Sequence, residues 1–411
     1  MSLLLLPWQV CAETASPDDL FEALDNSLEE EFLNLDAELE AQYQALDEAL
    51  EAAFQRVEKE VAAVWGEGEV ELPTKQKWVD YSDDMATRRQ IDFEQGQVLI
   101  EQIVEGDISD SRVSGALARA AADLSADTTS DLSERDLVLK YAKEALAAED
   151  LSYARYAPDD SQAVVGSLIG APPGQPAIEA AIARAKAGSP ADEGAIRTSI
   201  STTANGKQKV SVQVPFRFGY QATLASRYQQ LVMQEARSHD LDPSLIYAVM
   251  QTESSFNPRA RSSVPAFGLM QLVPRSGAMD AYQFVYGEKV LLDPEYLYDP
   301  ARNVELGAAY LSLLNTRYLR AIENPESRLI CAIAAYNTGA GNVSRAFTGG
   351  TRVRDAARVI NSMTPDEVFE HLKVNLPYEE TRRYIEKVTR ARKQYQGLDK
   401  MVGIEVESIR G

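Results

Sequence analysis

Residues 242–258 read Asp-Pro-Ser-Leu-Ile-Tyr-Ala-Val-Met-Gln-Thr-Glu-Ser-Ser-Phe-Asn-Pro. A capping Asp242 before Pro243 is a helix start, because Pro is pre-set for the first helical position. Leu245, Ile246, Val249 and Met250 give that helix a broad apolar face. Glu253 closes it, and Phe256-Asn257-Pro258 stops it. Burial disfavours a charged carboxylate, and the helix C-terminus is the negative end of the dipole. Both raise the pKa of Glu253, and a Glu that stays protonated near neutral pH is a general acid. On position alone, a surface Glu at a frayed helix end is the favoured reading.

Two later segments turn the balance toward chemistry. Gly268-Leu269-Met270-Gln271 is a compact turn that can bring Gln271 beside the acid. Ala335-Tyr336-Asn337 ends a second apolar helix, and Thr338-Gly339-Ala340-Gly341 lets backbone approach a ligand closely. These are the parts needed to protonate a glycosidic oxygen in a sugar-binding groove. Taken singly, Tyr336, Tyr378 and Tyr384 read as packing residues and Asn337 as a helix cap.

In order, Glu253-Ser254, Gly268–Gln271, Ala335–Asn337 and Glu380–Tyr384 resemble the motifs of the soluble lytic transglycosylases, which share their fold with goose-type lysozymes. The resemblance covers residues 222–396. It implies cleavage of the β-1,4 bond between N-acetylmuramic acid and N-acetylglucosamine in peptidoglycan, without water. Glu253 would protonate the leaving oxygen and then act as base on the C6 hydroxyl, closing a 1,6-anhydro ring. Ser262, Met270, Gln271, Tyr336, Asn337 and Tyr384 would hold the glycan. Val264 stands where some relatives carry a second serine. An ordinary glycosidase needs a second carboxylate across the sugar. The matched motifs name none, although Asp280, Asp293 and Glu305 are unplaced by sequence. A lysozyme-like hydrolase and a non-catalytic peptidoglycan-binding scaffold are the alternatives. No metal or cofactor is implied, and no nucleic acid.

Upstream, residues 18–61 repeat every eleven residues. An aromatic recurs at Phe21, Phe32, Tyr43 and Phe54, with aliphatics at Leu24, Leu35, Leu46 and Val57 and at Leu28, Leu39, Leu50 and Val61. The 3-4-4 spacing predicts one straight helix on the order of 65 Å long. Its other faces carry 15 acids against Arg56 and Lys59. The stripe needs a covering surface, either the chain's own α+β domain or a second copy through residues 18–61.

From Lys77 the period becomes two. Trp78–Tyr81 predicts a strand. Gln90–Phe93 and Gln97–Ile100 flank Glu94-Gln95-Gly96, and Arg197–Thr203 and Lys207–Phe216 flank Asn205-Gly206, giving two hairpins. Helices are expected near 112–124, 134–149 and 176–187, with a loop over 158–176. Trp78–Tyr81 and Arg89–Gly96 resemble the accessory domain of membrane-bound lytic murein transglycosylases of the C type. After Pro215, helices fit 222–239, 243–253, 301–319, 325–336, 365–373 and 378–396.

The expected fold class is therefore α+β and multidomain. Residues 16–66 form a long acidic helix, 67–215 a small α+β accessory domain and 216–396 an all-α, lysozyme-like catalytic domain. Residues 397–411 form a tail. The net charge of −22 divides as −24 over residues 1–215, +3 over 216–396 and −1 over 397–411. The mild surplus of base in the helical half fits either a basic groove or an even surface mixture.

Residues 1–15 are expected to be an export signal. Leu3–Trp8 is apolar and Cys11-Ala12 follows, although no Lys or Arg precedes the run. A truncated gene start would explain that defect. Cys11 is a candidate lipid anchor with Val10 where a small residue is expected. The site of action is then the periplasm, with or without outer-membrane association. Two cysteines and two histidines, His239 and His371, support no disulfide framework and no metal centre. Cys331 reads as a buried thiol.

Overall fold

Helix α1 (Pro17–Trp65) is one continuous helix of 49 residues, as the eleven-residue repeat predicts. The computed structural model describes residues 17–146, 163–188, 195–262 and 264–396, and side chains from residue 35 onward among these. The apolar run Leu3–Trp8, Cys11, the first repeat side chains and the tail 397–411 lie outside the described residues. From Leu39 on, the stripe faces inward: Tyr43, Leu46, Leu50, Ala53, Val57, Val61 and Trp65 are buried. Its partners come from two places in the same chain. Val138, Leu139 and Ala142 meet it from the accessory part, and Phe267, Leu272 and Leu297 from the helical part. Midway along it, Leu39 and Tyr43 pack on Met279 and Leu291. The solvent face stays acidic, with Glu40 paired to Arg275 and Asp36 to Lys289.

The accessory part is built on one antiparallel sheet: β1 (Lys77–Tyr81), β2 (Thr87–Asp92), β3 (Gln97–Val104), β4 (Arg197–Thr202) and β5 (Gln208–Pro215). Their order is β1-β2-β3-β5-β4. Both hairpins form where the turn residues predict, and Gly96 and Gly206 take the left-handed backbone with φ of 69° and 80°. Val210, Val212, Val214 and Phe216 share the buried face. They pack on α2 (Ser111–Ala126), whose N-cap Asp110 accepts from the Arg112 N–H.

The helix expected over 134–149 begins at Leu137, a separate short helix precedes it, and residues 147–149 lie outside the described residues. α3 (Thr129–Glu134) is opened by a Thr128/Asp131 capping box, and α4 (Leu137–Leu146) begins after Asp136, whose carboxylate accepts from the Leu139 N–H at 3.0 Å. Within the expected loop, α5 (Gly166–Ile169) forms one turn because Val165 and Leu168 are buried. α6 (Gln175–Lys186) completes this layer.

The helical part follows as α7 (Tyr220–Arg227), α8 (Gln229–Ser238), α9 (Pro243–Ser254), α10 (Met279–Tyr286), α11 (Pro294–Tyr298) and α12 (Pro300–Leu313). Then come α13 (Pro325–Thr338), α14 (Ala340–Thr348), α15 (Val353–Ile360), α16 (Pro365–Asn375) and α17 (Glu379–Tyr395). The single helix expected over 222–239 breaks at Tyr228, and the end of the one over 301–319 loosens into a π-helical turn at Leu314–Tyr318. Each Asp- or Asn-Pro start is a real cap: Asp242, Asp293, Asp299 and Asn324 all accept from backbone N–H groups one turn in. α9 lies at the centre of this half and packs along α17, where Tyr247 stacks on Tyr395 with ring centres 5.2 Å apart. Among the described residues, no helix is long and apolar enough to cross a membrane.

Candidate active site

Glu253 sits in the last turn of α9 and is 5% exposed. The helix stops abruptly behind it because Ser255 and Phe256 both take positive φ, at 51° and 65°. Gln271 does the same across the site, at 49°. Non-glycine residues pay about 1–3 kcal/mol each for such backbone, and it persists only where the surroundings enforce it. Here Ser254 does much of the enforcing. Its hydroxyl lies 2.9 Å from the Met250 carbonyl and 2.8 Å from the Leu269 carbonyl, and accepts from the Phe256 N–H. The Ser of the Glu-Ser pair thus ties the end of the acid helix to the Gly268–Gln271 turn.

Burial pushes the Glu253 carboxyl up to about 7; the Lys75 ammonium and the Tyr384 hydroxyl pull the other way, and Glu380 adds slightly to the rise. Lys75 Nζ stands 3.9 Å from Glu253 Oε2 and 3.3 Å from Glu380 Oε1. Tyr336 and Tyr384 are raised well above the usual phenol range by burial and then by the charge of Glu253, so both stay neutral.

A groove of about 430 Å³ opens in front of the acid, within the usual size of ligand clefts. Ser262, Gln271, Tyr336 and Asn337 all line it, beside Glu253. Gln271 Nε2 donates to the carbonyls of Ala260 and Gly268, which leaves its buried Oε1 without a partner in the protein. Asn337 is the complement: its Oδ1 accepts from the Thr381 hydroxyl at 2.7 Å, so its N–H groups are free for a ligand. Tyr336 donates to the Met270 carbonyl at 2.8 Å. Ser262 currently donates to the Val264 carbonyl, and Val264 itself is exposed.

Two expected contacts differ. Met270 is fully buried, its thioether packed where only Gly307 leaves room, so its side chain cannot reach a ligand in the groove. Its carbonyl serves the site by fixing Tyr336. Tyr384 is 5% exposed and meets the acid rather than the open groove. The surplus of base is not in the groove either, whose charges are Lys75, Glu253 and Glu380. Asp280, Asp293 and Glu305 are engaged elsewhere, by the Tyr318 hydroxyl, the start of α11 and Tyr286.

Lys75 is the residue that the local sequence does not announce. It precedes β1, and the two halves of the fold bring it to the acid. The Asn257 side chain donates to the Lys75 carbonyl at 3.2 Å, and the Arg261 N–H to the Thr74 carbonyl at 3.5 Å. Behind this seam, Arg259 and Arg261 are buried and meet Asp136 from the start of α4, with Glu295 on Arg259 at 3.2 Å. Burial alone would raise Glu295, but Arg259 and Lys143 hold it down to about 2. Glu380 and Thr381 belong to a recognised motif, but their parts in the groove appear only in three dimensions.

The turn is held by Asn303, which is fully buried. Its Oδ1 accepts from the Met270 N–H at 2.7 Å, and its Nδ2 donates to the carbonyls of Phe267 and Leu297. Gly268 has φ of 76° and sits against Leu297 and Asn303, so no side chain fits there. Asn303→Ala strands these buried groups and is expected to cost about 2–3 kcal/mol in urea unfolding. A loss under about half of that would show that the turn holds itself.

Among the described residues, no group of His, Cys, Asp and Glu could hold a metal ion, and Cys331 is buried.

Residues 230–357 match the family model described as transglycosylase SLT domain. Residues 43–120 match the N-terminal domain of membrane-bound lytic murein transglycosylase C. A curated membrane-bound lytic murein transglycosylase C from Klebsiella pneumoniae is 34% identical over 334 residues, covering 81% of this chain and 85% of the relative. The protein of that name from a second strain is 33% identical over the same shares. Among solved structures, an inactive mutant of lytic transglycosylase Slt from Pseudomonas aeruginosa is 29% identical, covers 42% of this chain and 24% of its own, and aligns with a TM-score of 0.33.

Proposed function

The chain belongs to the membrane-bound lytic murein transglycosylase C family and is a lytic murein transglycosylase, and we propose that Glu253 serves it first as general acid and then as general base. The observation that carries this reading is the Glu253 carboxyl, buried at the end of α9 yet open to the groove and held at about 7. Near neutral pH such a group exists in both forms, which a two-stroke proton carrier requires. In the first stroke, Glu253 gives its proton to the glycosidic oxygen as the bond to C1 of the muramic residue breaks. In the second, the carboxylate takes the proton of the C6 hydroxyl as that oxygen bonds to C1. No water is consumed, and the glycan ends in a 1,6-anhydro ring.

Glu380 is the other carboxylate in the groove. It shares one ammonium with Glu253 and so stands beside the acid. A hydrolytic base would activate water from the opposite face of the sugar. Gln271 Oε1 and the Asn337 amide N–H groups form an acceptor and donor pair suited to an acetamido group. Ser262 and Tyr336 complete the glycan-facing set, and Tyr384 steadies the carboxyl. The substrate is the peptidoglycan glycan strand, and we infer a periplasmic place of action, beside that polymer. Membrane attachment through Cys11 fits the "membrane-bound" name of the relatives.

This reading sets the sign of the pH dependence. Protonated Glu253 is the starting form, so kcat/KM on soluble glycan should fall as pH rises through about 7. A fall that instead begins in the ordinary carboxylate range would show that a different, exposed acid does the work.

A further inference from the structure

We propose that Lys75, supplied by the segment leading into β1, is a positioning residue that holds the Glu253 carboxyl in place and stabilises the carboxylate formed when Glu253 gives up its proton. This rests on the reading of Glu253 as the proton carrier.

A buried carboxylate is costly unless a counter-charge is near. Midway through the reaction Glu253 must be one. Among the described residues lining the groove, Lys75 is the one cation. Its ammonium is 3.9 Å from the carboxyl, near enough to attract it and too far for a strong hydrogen bond that would lock it in the ionised form. Its placement is fixed from both ends. The main chain is pinned by Asn257 on the Lys75 carbonyl, by Arg261 on Thr74 and by the Phe93 N–H on the Gln76 carbonyl at 3.0 Å. The ammonium is held at 3.3 Å by Glu380.

The groups facing Glu253 are therefore Lys75, the Tyr384 hydroxyl, Glu380 and, through its charge, Tyr336. Both phenols stay neutral, which leaves Lys75 and Glu380 to act in opposite directions. Lys75 favours the carboxylate. Glu380 opposes it directly and also draws on the same ammonium. The helical half alone carries the acid but not this cation, so the site is complete only with the accessory part docked.

The test uses full-length protein with Lys75→Met, Lys75→Arg and Glu380→Gln, and follows kcat/KM against pH. Lys75→Met should move the alkaline limb to higher pH by about one unit, because an adjacent opposite charge shifts a carboxyl by at least that much. Lys75→Arg should return the limb close to the wild-type position. Glu380→Gln, checked to melt like wild type, should move it to lower pH; the upward move of Lys75→Met is the direction that general loosening of the fold, which lets water reach the acid and lowers its pKa, does not produce. Glu380→Gln also decides the matter if Lys75→Met folds poorly. Limbs that superimpose in wild type, Lys75→Met and Glu380→Gln would overturn the inference. Glu253→Gln run alongside separates the two ideas. If it is inactive while the limbs superimpose, only the role of Lys75 falls. If it is active, the reading of Glu253 falls first.

Discussion

Glu253→Gln should fold normally and lose at least ~10²-fold in turnover on purified peptidoglycan, the lower end of a general-acid contribution. The substitution keeps the shape of the side chain beside Tyr384 and Lys75 and removes only the proton. The same change should stabilise the protein at higher pH. Glu253 has its pKa raised from 4.5 in the unfolded reference to about 7 in the fold. Between those values the native state binds a proton that the unfolded chain has released, so wild-type stability falls as pH rises through that window. Glutamine has no such proton. The melting temperature of Glu253→Gln should therefore gain on wild type from below pH 4.5 to above pH 7. Near-wild-type digestion by this variant would remove the mechanism, and a constant difference in melting temperature would show that the burial cost is not carried by this carboxyl.

Trp65→Ala should be the most damaging single change in the long helix. Trp65 is fully buried at the end of α1, donates its indole N–H to the Met85 carbonyl at 2.6 Å, and lies under the Arg88 guanidinium. Truncation should cost about 3–5 kcal/mol in urea unfolding, a large part of the usual margin of a folded domain. Binding of a hydrophobic dye should rise, because the apolar surface of α1 covers residues from both halves. A free-standing spacer would tolerate the change, so a loss below about 1 kcal/mol would contradict the packing role.

The long helix shows how far periodicity carries. An unbroken eleven-residue repeat says that one stripe must be covered, and Leu46, Leu50, Val57 and Val61 are covered. It cannot say by what, and the cover includes Phe267, Leu272 and Met279 of the helical half. The same limit applies to short elements. α11 is too short for a clear apolar period, and α14 begins in the Gly339–Gly341 stretch that reads as a loop. The break at Tyr228 leaves no Gly or Pro to mark it. In the site, Glu253, Gln271, Tyr336 and Asn337 were legible because chemistry and chain stops coincide there. Met270 looked like a contact because it lies inside a motif, yet its side chain fills the space left by Gly307. Lys75 was not legible at all, since only the docking of the two halves brings it to the acid.

The most direct test of the account is the chemical form of the new glycan end. Peptidoglycan sacculi digested with wild-type protein and analysed by mass spectrometry at early times should give muropeptides ending in 1,6-anhydromuramic acid, each one water lighter than its hydrolytic counterpart. A predominance of reducing ends at those times would contradict the account, because the second proton would then have come from water and not from the C6 hydroxyl.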